Sequence, residues 1–273
     1  MSEKPVRLAV CVVTYQEPFA HSAVCKSLAG LPQELLAHLS VVSVCNAAHG
    51  TIADDPVIEE HQAGALSYRE VLRSDNRGLA GGYNAGLQIA LDEAPDAALF
   101  LNADGWVEAW YLTWLLDGLR RQPDREAFVP TLISGARCVS PFRKRGIALN
   151  FYIIGWLCLR DGPFLRQLRF PDEFWLDGID YWLSVKMAEA GLRIERTERC
   201  IAHNLSVSDQ FGTLPGWRYR NILVSERRFL RWQKRPFREI LVVHVRALAR
   251  CLRYRRFDLA QVVAKEFAVA LHE

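Results

Sequence analysis

The stretch VRLAVCVVT, residues 6–14, is almost continuous in apolar side chains. A strand that is buried on both faces has this pattern, because neither face alternates with polar residues. Similar runs occur at residues 39–45 (LSVVSVC) and 97–101 (AALFL), and another strand signal lies at 68–72. Helix-like stretches lie between the strands at 20–28 and 76–90. Strands that alternate with helices imply right-handed crossovers and a parallel sheet. The first half of the chain is therefore predicted to form a doubly wound α/β domain.

The composition is that of a globular protein. The chain has 273 residues, of which 50% are hydrophobic and 24% are charged. Its seven cysteines never occur in CxxC spacing, which favours reduced core thiols over a zinc site. No uncharged apolar run approaches the ~18–20 residues that cross a bilayer, and the N-terminal residues lack the apolar core of a signal peptide. We expect a cytoplasmic protein.

The charge is unevenly distributed. Residues 217–256 contain thirteen Lys and Arg against two acids, Glu226 and Glu239, for a net +11, so the remainder of the +3 chain carries −8. The second half is predicted to contain an amphipathic helix at 180–190, a strand at 192–202 and, from residue 217, helices interrupted at Pro236. The basic helices face an anionic membrane surface, or they pack back on the domain or form an oligomer interface. No nucleic-acid partner is expected, because the rest of the chain is acidic.

The helix after Pro236 has two distinct faces. One carries Leu241, Val245, Leu248 and Leu252 at helical spacing, and arginines gather on another, at positions 238, 246, 250 and 253. The favoured interpretation of the apolar face is that it packs back on the domain or forms an oligomer interface, with the arginines simply solvated.

Four glycines mark the start of the helix at residues 76–90, NRGLAGGYNAGLQIA. Gly78, Gly81, Gly82 and Gly86 each disfavour a helix interior. They would allow backbone N–H groups to approach a phosphate at the helix N-terminus, or else they allow a tight turn and close helix packing. The spacing is not G-x-G-x-x-G, which disfavours NAD.

An acidic turn follows the strand in LFLNADGWV, residues 99–107. Asp104, with a glycine after it, is well placed to hold Mg²⁺ or Mn²⁺ against a diphosphate, because ligands of α/β sheets bind beyond the carboxyl ends of strands. Alternatively, Asp104 caps the next helix.

The ordered set of motifs resembles a known family. It comprises VVTYQEP (12–18), the glycine-rich helix, LFLNADGWV, FWLDGIDYWLSVKMAEAGLRI (174–194) and AHNLSVSD (202–209). Across residues 8–221 the chain is similar to family 2 inverting glycosyltransferases of the GT-A fold, most closely the bacterial rhamnosyltransferase-like branch. The resemblance implies a GT-A catalytic domain at 1–216 with a helical extension at 217–273.

The resemblance also implies roles for individual residues. Those near the nucleobase and ribose of a nucleoside-diphosphate sugar would be Thr14, Tyr15 and Asn46. Those near its sugar and diphosphate would be Asn76, Gly78, Gly82, Asn84, Asn102 and Asp104. Asp104 and His203 would bind a divalent cation, Mg²⁺ or Mn²⁺, although a lone histidine is more often structural.

An inverting transfer needs a carboxylate that accepts the acceptor's proton. Asp177 is the predicted base and Asp180 is predicted to position nearby groups or the acceptor, although both could instead cap a helix. Trp175, Tyr181 and Trp182 could stack on a sugar, or belong to the core.

The implied enzyme moves a sugar, with L-rhamnose as the candidate, to a glycan or lipid-linked glycan at the inner face of the membrane. Three positions depart from the family pattern: Cys45 and Asn102 replace acids, and Gly178 lies where some relatives have the catalytic aspartate. A catalytically inactive nucleotide-sugar-binding subunit is therefore the alternative. A nucleotidyltransferase is disfavoured because the turn after the first strand has no Lys or Arg.

Overall fold

The computed structural model describes residues 5–48, 57–143, 147–203 and 211–272. Its strands, in chain order, are β1 (Leu8–Tyr15), β2 (Leu39–Asn46), β3 (Val57–Ala63), β4 (Leu66–Leu72), β5 (Ala97–Asn102), β6 (Ala127–Ser134), β7 (Arg137–Ser140), β8 (Phe142–Arg143), β9 (Asn150–Phe151), β10 (Cys158–Arg160) and β11 (Ile194–Ala202). The helices are α1 (Ala23–Ala29), α2 (Gln33–Leu36), α3 (Gly78–Leu91), α4 (Ala109–Arg121), α5 (Pro163–Gln167), α6 (Ile179–Glu189), α7 (Gly216–Trp232), α8 (Phe237–Arg253) and α9 (Phe257–His272).

One large sheet organises the molecule. Its strand order is β11-β6-β10-β5-β1-β2-β4-β3, with β7 paired to β6, while β8 and β9 form a separate ribbon. The strands β1, β2, β4, β5, β6 and β11 run in one direction, and β3, β7 and β10 run against them. The predicted α/β fold with a mostly parallel sheet and C-terminal helices is confirmed.

Strand β1 shows why its sequence has no polar alternation. Leu8 and Val10 belong to the core on one side of the sheet, which includes residues of α1 and α4. Ala9 and Cys11 belong to the core on the other side, which includes residues of α3 and α6. Both faces of the strand are therefore buried, as the predicted double layer of helices requires.

Two local predictions needed correction. The helix expected at 20–28 is split, because a 3-10 turn at Phe19–His21 precedes α1 and the Ser22 side chain accepts a hydrogen bond from Cys25 N at 3.1 Å as the helix N-cap. Strand β3 was not predicted. It is the antiparallel edge strand and is largely exposed, so its sequence lacks a buried strand's apolar run.

The C-terminal helices α7, α8 and α9 share a small core of their own. It is formed by Phe211, Leu214, Tyr219, Leu223, Ala247, Cys251, Leu259 and Val263. Among the described residues, no helix combines the length and the apolar character needed to span a bilayer. The boundary at residue 216 stays a prediction.

The expectation that the apolar face of α8 packs back on the domain is wrong for the described residues, whereas the oligomer interface stays a prediction. Leu241, Val245, Leu248 and Leu252 are 40%, 57%, 40% and 53% exposed. The side of α8 that is buried instead carries Ile240, His244, Ala247 and Cys251. The small side chains at 247 and 251 allow a neighbouring helix to approach closely, which explains why this narrower face is the one that packs.

Candidate active site

A cavity of about 700 Å³ lies beyond the carboxyl end of β5. Five of the predicted site residues line it: Asn102, Asp104, Asp177, Asp180 and His203. They come from separate segments of the chain, namely the end of β5, the loop before α6, the first turn of α6 and the residue after β11. The structure therefore brings the predicted acidic and imidazole groups together in one concave site.

Asp104 is exposed in the turn that follows β5. The alternative that it caps the next helix does not apply, because the N-cap of α4 is Glu108 and no side chain caps that helix. Asn102, at the end of β5, contacts the 3-10 turn at Ile154–Trp156, where a Cβ added to Gly155 would overlap the Asn102 amide. The close packing at Gly155 positions the Asn102 side chain beside the cavity.

Asp177 is held by two side chains of α7. Its Oδ2 accepts a hydrogen bond from Arg218 Nη1 at 2.7 Å and another from Asn221 Nδ2. Burial raises the pKa of Asp177, while Arg218 and Asn221 oppose that rise because both favour the ionised form. Asp177 Oδ1 has no partner among the described residues, so one oxygen is fixed and the other is available to a ligand.

Asp180 lies in the first turn of α6, and its Oδ1 accepts a hydrogen bond from Ile154 N at 2.8 Å. Burial raises the pKa of Asp180 from 3.8 to about 6, the Ile154 amide opposes that rise, and the negative charge of Asp177 adds to it. Neither aspartate caps α6, since the N-cap is Gly178 and no side chain caps the helix. A carboxylate with a pKa near 6 is well matched to proton transfer near neutral pH.

His203 is buried at the end of β11, with 8% of its surface exposed. Its backbone N donates to Ile133 O at 2.8 Å, and its Nδ1 accepts a hydrogen bond from Trp156 Nε1 at 3.4 Å. A neutral imidazole that accepts at Nδ1 carries its proton on Nε2. Burial lowers the pKa of His203, and the charge of Asp104 acts in the opposite direction. The ring is therefore neutral at physiological pH.

The donor set for a metal is small. Among the described residues, no group of three or more His, Cys, Asp or Glu side chains could hold a metal ion. Asp104 and His203 offer one carboxylate and one imidazole, and His203 would have to surrender its proton on Nε2 or its contact with Trp156 to coordinate. The protein alone does not form a complete cation site here, and further ligands would have to come from a bound diphosphate.

The glycine-rich start of α3 is closed by contacts within the chain. Gly78 has φ +66°, and a Cβ added there would overlap the carbonyl oxygen of Trp175. That carbonyl accepts from Leu79 N at 2.7 Å, and Asn76 Oδ1 accepts from Gly78 N at 3.0 Å. The first amides of the helix are thus already satisfied. The turn-and-packing alternative accounts for Gly78.

Two further glycines of α3 allow it to approach the sheet. A Cβ added at Gly82 would lie 2.6 Å from Val13 Cγ1 on β1, and one at Gly86 would lie 3.3 Å from Val44 Cγ2 on β2. The Asn84 amide donates to Phe170 O and accepts from Phe170 N, both at 2.8 Å. Both of its polar atoms therefore have partners within the chain.

The ends of β1 and β2 lie outside the set of residues that line the cavity. Thr14 is buried and Tyr15 is 56% exposed. Asn46 is buried, with Nδ2 donating to Gly78 O at 2.8 Å and Oδ1 left without a partner in the described part of the chain. Residues 49–56 and 204–210, which include most of the AHNLSVSD motif, are outside the described residues. Contacts of Thr14, Tyr15, Asn46 and the residues of α3 with a donor stay predictions.

The three aromatic candidates, Trp175, Tyr181 and Trp182, lie in different environments. Tyr181 lines the cavity and contacts Phe151 and Phe229 behind it. Trp182 packs in the core against Phe170 and Trp232. Trp175 donates from Nε1 to Asn76 O at 3.1 Å, so it joins the cavity loop to the start of α3.

Sequence reasoning missed Arg218, Asn221 and Trp156. Arg218 was one of thirteen basic residues in a tail, and nothing in its spacing set it apart. Asn221 lies three residues further on, on the same side of a helix. An Arg and an Asn at this spacing near a helix start can indicate the partners of a carboxylate. They do so only when a buried acid is already known to need partners.

The fold is similar to that of a solved mannosyltransferase. No protein-family model matches the sequence, and no curated protein matches it either. Mannosyltransferase PcManGT from Pyrobaculum calidifontis, solved in complex with GDP-Man and Mn²⁺, matches with a TM-score of 0.53 and 16% identity over 98% of this chain and 81% of that one. The likeness shows that this chain has the fold of a glycosyltransferase structure.

Proposed function

We propose that this protein is a glycosyltransferase that moves a sugar from a nucleoside-diphosphate donor to an acceptor hydroxyl, with inversion at the anomeric carbon. The observation that carries the proposal is the single cavity lined by Asp104, Asp177, Asp180 and His203. The fold likeness supports it, since the similar structure holds GDP-Man and Mn²⁺.

In the proposed reaction the acceptor oxygen forms a bond to the anomeric carbon while the bond from that carbon to the donor's diphosphate oxygen breaks. The acceptor's proton passes to a carboxylate, and the nucleoside diphosphate leaves with the bonding electron pair. Asp177 is the proposed base, with Arg218 and Asn221 holding one oxygen and leaving Oδ1 for the proton. Asp180, fixed by Ile154 N, positions the acceptor beside it.

Asp104 and His203 are the proposed protein ligands of a divalent cation, together with oxygens of the donor diphosphate. A bound cation would neutralise charge on the departing diphosphate. Asn102 is neutral where the family has an acid. We therefore expect the cation to bind weakly, and only together with the donor diphosphate.

The finer features of the proposal come from the sequence resemblance. They are membership of glycosyltransferase family 2, L-rhamnose as the sugar, a lipid-linked or other glycan acceptor, and a location at the cytoplasmic face of the membrane. Nucleobase contacts would involve Thr14, Tyr15 and Asn46, and the unpartnered Asn46 Oδ1 is free to accept a hydrogen bond.

Asp177→Asn tests the proposed chemistry. We expect transfer, measured as nucleoside diphosphate released in the presence of a glycan acceptor, to fall by about 10²- to 10⁴-fold. Binding of the best donor, found by thermal shift with and without Mn²⁺, should persist, and at 100 times its dissociation constant the donor should raise the melting temperature by roughly 5–10 °C. Asp172→Asn, an exposed aspartate outside the cavity, is the matched control. A screen in which no nucleoside diphosphate or its sugar shifts the melting temperature would contradict the proposal.

An inactive donor-binding subunit is the second candidate, and one observation favours it. Gly178 has φ +84°, and a Cβ added there would lie 2.9 Å from Phe174. The position where some relatives place the catalytic aspartate thus has no room for a side chain. If this candidate is correct, a donor will raise the melting temperature of the wild-type protein. Neither the wild-type protein nor Asp177→Asn will then transfer sugar to any acceptor.

A further inference from the structure

The outer face of α8 is an apolar stripe in contact with solvent. We define it by five residues: Phe237, Leu241, Val245, Leu248 and Leu252. Their exposed fractions are 43%, 40%, 57%, 40% and 53%. Steps of three and four along a helix place them in one arc, so the exposed apolar surface is continuous along the length of α8. Continuous apolar surface of this kind marks an interaction site rather than scattered surface residues.

A row of arginines runs beside the outer face of α8. Arg238, Arg246 and Arg253 lie on the exposed side of the helix, and their side chains make no hydrogen bond or ion pair with the described residues. The one acid of α8, Glu239, is already paired with Arg235 at 2.8 Å. The flank of the stripe therefore has positive charge without an internal counterion.

Other arginines in the same basic segment are paired with acids of this chain. Arg218 pairs with Asp177, and Arg220 and Arg227 both pair with the buried Glu266. On α8 itself, Arg238, Arg246 and Arg253 keep their positive charge at the surface beside the stripe.

We propose that the outer face of α8 docks on an anionic lipid bilayer. The five apolar side chains would enter the boundary between head groups and acyl chains, and the arginines would donate hydrogen bonds to lipid phosphates. A second copy of this chain fits less well, because two such faces would bring their unpaired arginines together. The helix lies along the surface, in keeping with the finding that no described helix can span a bilayer.

The docking face is one helix away from the cavity. Arg218, Ile222 and Ser225 of α7 line the cavity, while Tyr219 and Leu223 of the same helix pack in the core shared with α8 and α9. Packed helix axes are roughly 8–10 Å apart. Docking would thus hold the cavity near the membrane surface, which, if the proposed function is correct, is where a lipid-linked acceptor is found.

Co-sedimentation of the full chain with lipid vesicles tests the proposal without donor, acceptor or activity. We expect the wild-type protein to pellet with vesicles of phosphatidylcholine mixed with phosphatidylglycerol, and to stay in the supernatant with phosphatidylcholine alone. The Val245→Glu/Leu252→Glu double variant should stay in the supernatant with both. Its matched control is Val57→Glu/Ile58→Glu, which adds the same charges on exposed apolar residues of the edge strand β3 and should bind like wild type.

The arginines are tested separately. The Arg238→Gln/Arg246→Gln/Arg253→Gln variant should partition on the order of 100-fold more weakly to the mixed vesicles, because each basic residue near the surface contributes roughly fivefold. Equal binding of wild type to both vesicle types, or wild-type binding by Val245→Glu/Leu252→Glu, would overturn the proposal. So would a wild-type dimer that this double variant converts to a monomer without any vesicle binding.

Discussion

Two neighbouring regions, the start of α3 and the turn after β5, differ in whether their polar groups are bonded within the chain or exposed. At the start of α3 the amides of Gly78 and Leu79 are bonded to Asn76 and to the Trp175 carbonyl. After β5, Asp104 is exposed at the edge of the cavity. The first region is closed and the second is open, although both follow buried parallel strands and both contain glycine.

The closed region supports the open one. Trp175 lies two residues before Asp177, and its carbonyl and indole are both bonded to the start of α3. The glycines of α3 therefore fix the loop that carries a cavity carboxylate. We infer a division of labour in which substitutions at the start of α3 lower stability, whereas substitutions in the cavity change activity. The following variants test that division.

Gly78→Ala should have the largest effect on stability. The residue has φ +66°, and its Cβ would displace the Trp175 carbonyl from Leu79 N and Ala80 N. Backbone strain and the loss of these hydrogen bonds should lower the free energy of unfolding by about 4 kcal/mol, measured by urea denaturation. Gly64→Ala is the control, because Gly64 has φ +62° with nothing within 4 Å and should lose only about 1 kcal/mol. Equal losses would show that the Trp175 contact is unimportant.

Asp180→Asn should raise stability in a pH-dependent way. The pKa of Asp180 is about 6 in the folded protein against 3.8 normally, so the folded state binds the proton more tightly. The stability that this proton provides is present below about pH 4 and is lost as the pH rises towards 6. Asparagine, which stays neutral and can still accept from Ile154 N, should therefore be more stable by about 2 to 3 kcal/mol at pH 8 and by almost nothing near pH 4.

Unfolding in urea at several pH values measures this difference. The charges of Asp177 and Arg218 also act on Asp180. Asp172→Asn, which changes an exposed aspartate outside the cavity lining, is the control. If Asp180→Asn is less stable than wild type at pH 8, the carboxylate contributes to the fold rather than to the site.

Gly82→Ala should have an intermediate effect. Its Cβ would lie 2.6 Å from Val13 Cγ1, and overpacking of this kind lowers the free energy of unfolding by about 2 kcal/mol. Gly86→Ala, where the nearest atom is 3.3 Å away, should lose less. Val13→Ala in the same chain should recover part of the Gly82→Ala loss, which a double-mutant cycle measures. Strictly additive losses would rule out contact between helix and strand as the cause.

Asn84→Ala should have the smallest effect. It removes two hydrogen bonds to the Phe170 backbone in a half-buried position, which should lower the free energy of unfolding by about 1 kcal/mol. Thermal shift by the best donor then separates this structural role from the donor contact that the resemblance implies, because an unchanged shift would limit Asn84 to the fold. A lost donor shift at unchanged stability would instead assign Asn84 to the donor site.

The sequence predicted those features that depend only on the local segment of the chain. Buried strands such as β1 and β5 have apolar runs whatever their neighbours, so their order along the chain predicted the sheet. Asp104 was found because it follows a buried strand, where ligands of such sheets bind, whereas Asp177 and Asp180 were found from the family resemblance of the motif that contains them.

What the sequence did not reveal depends on distant partners. Gly78 lies against the carbonyl of Trp175, which accepts from Leu79 N and is 97 positions further along the chain. No local pattern distinguishes that contact from an open phosphate site. The sequence likewise did not show which face of α8 packs on the protein, because both faces contain apolar residues. The face that packs carries Ala247 and Cys251, which belong to the core shared with α7 and α9 and whose small side chains allow those helices to approach closely.

The clamp on Asp177 limits how this protein could exchange parts with its relatives in evolution. Arg218 and Asn221 belong to the helical extension, yet they hold an aspartate of the α/β domain. Recombination that replaced the tail would leave that carboxylate without its cation unless the incoming tail supplied an equivalent pair. The tail and the α/β domain should therefore be inherited together, even though their sequences look like separable modules.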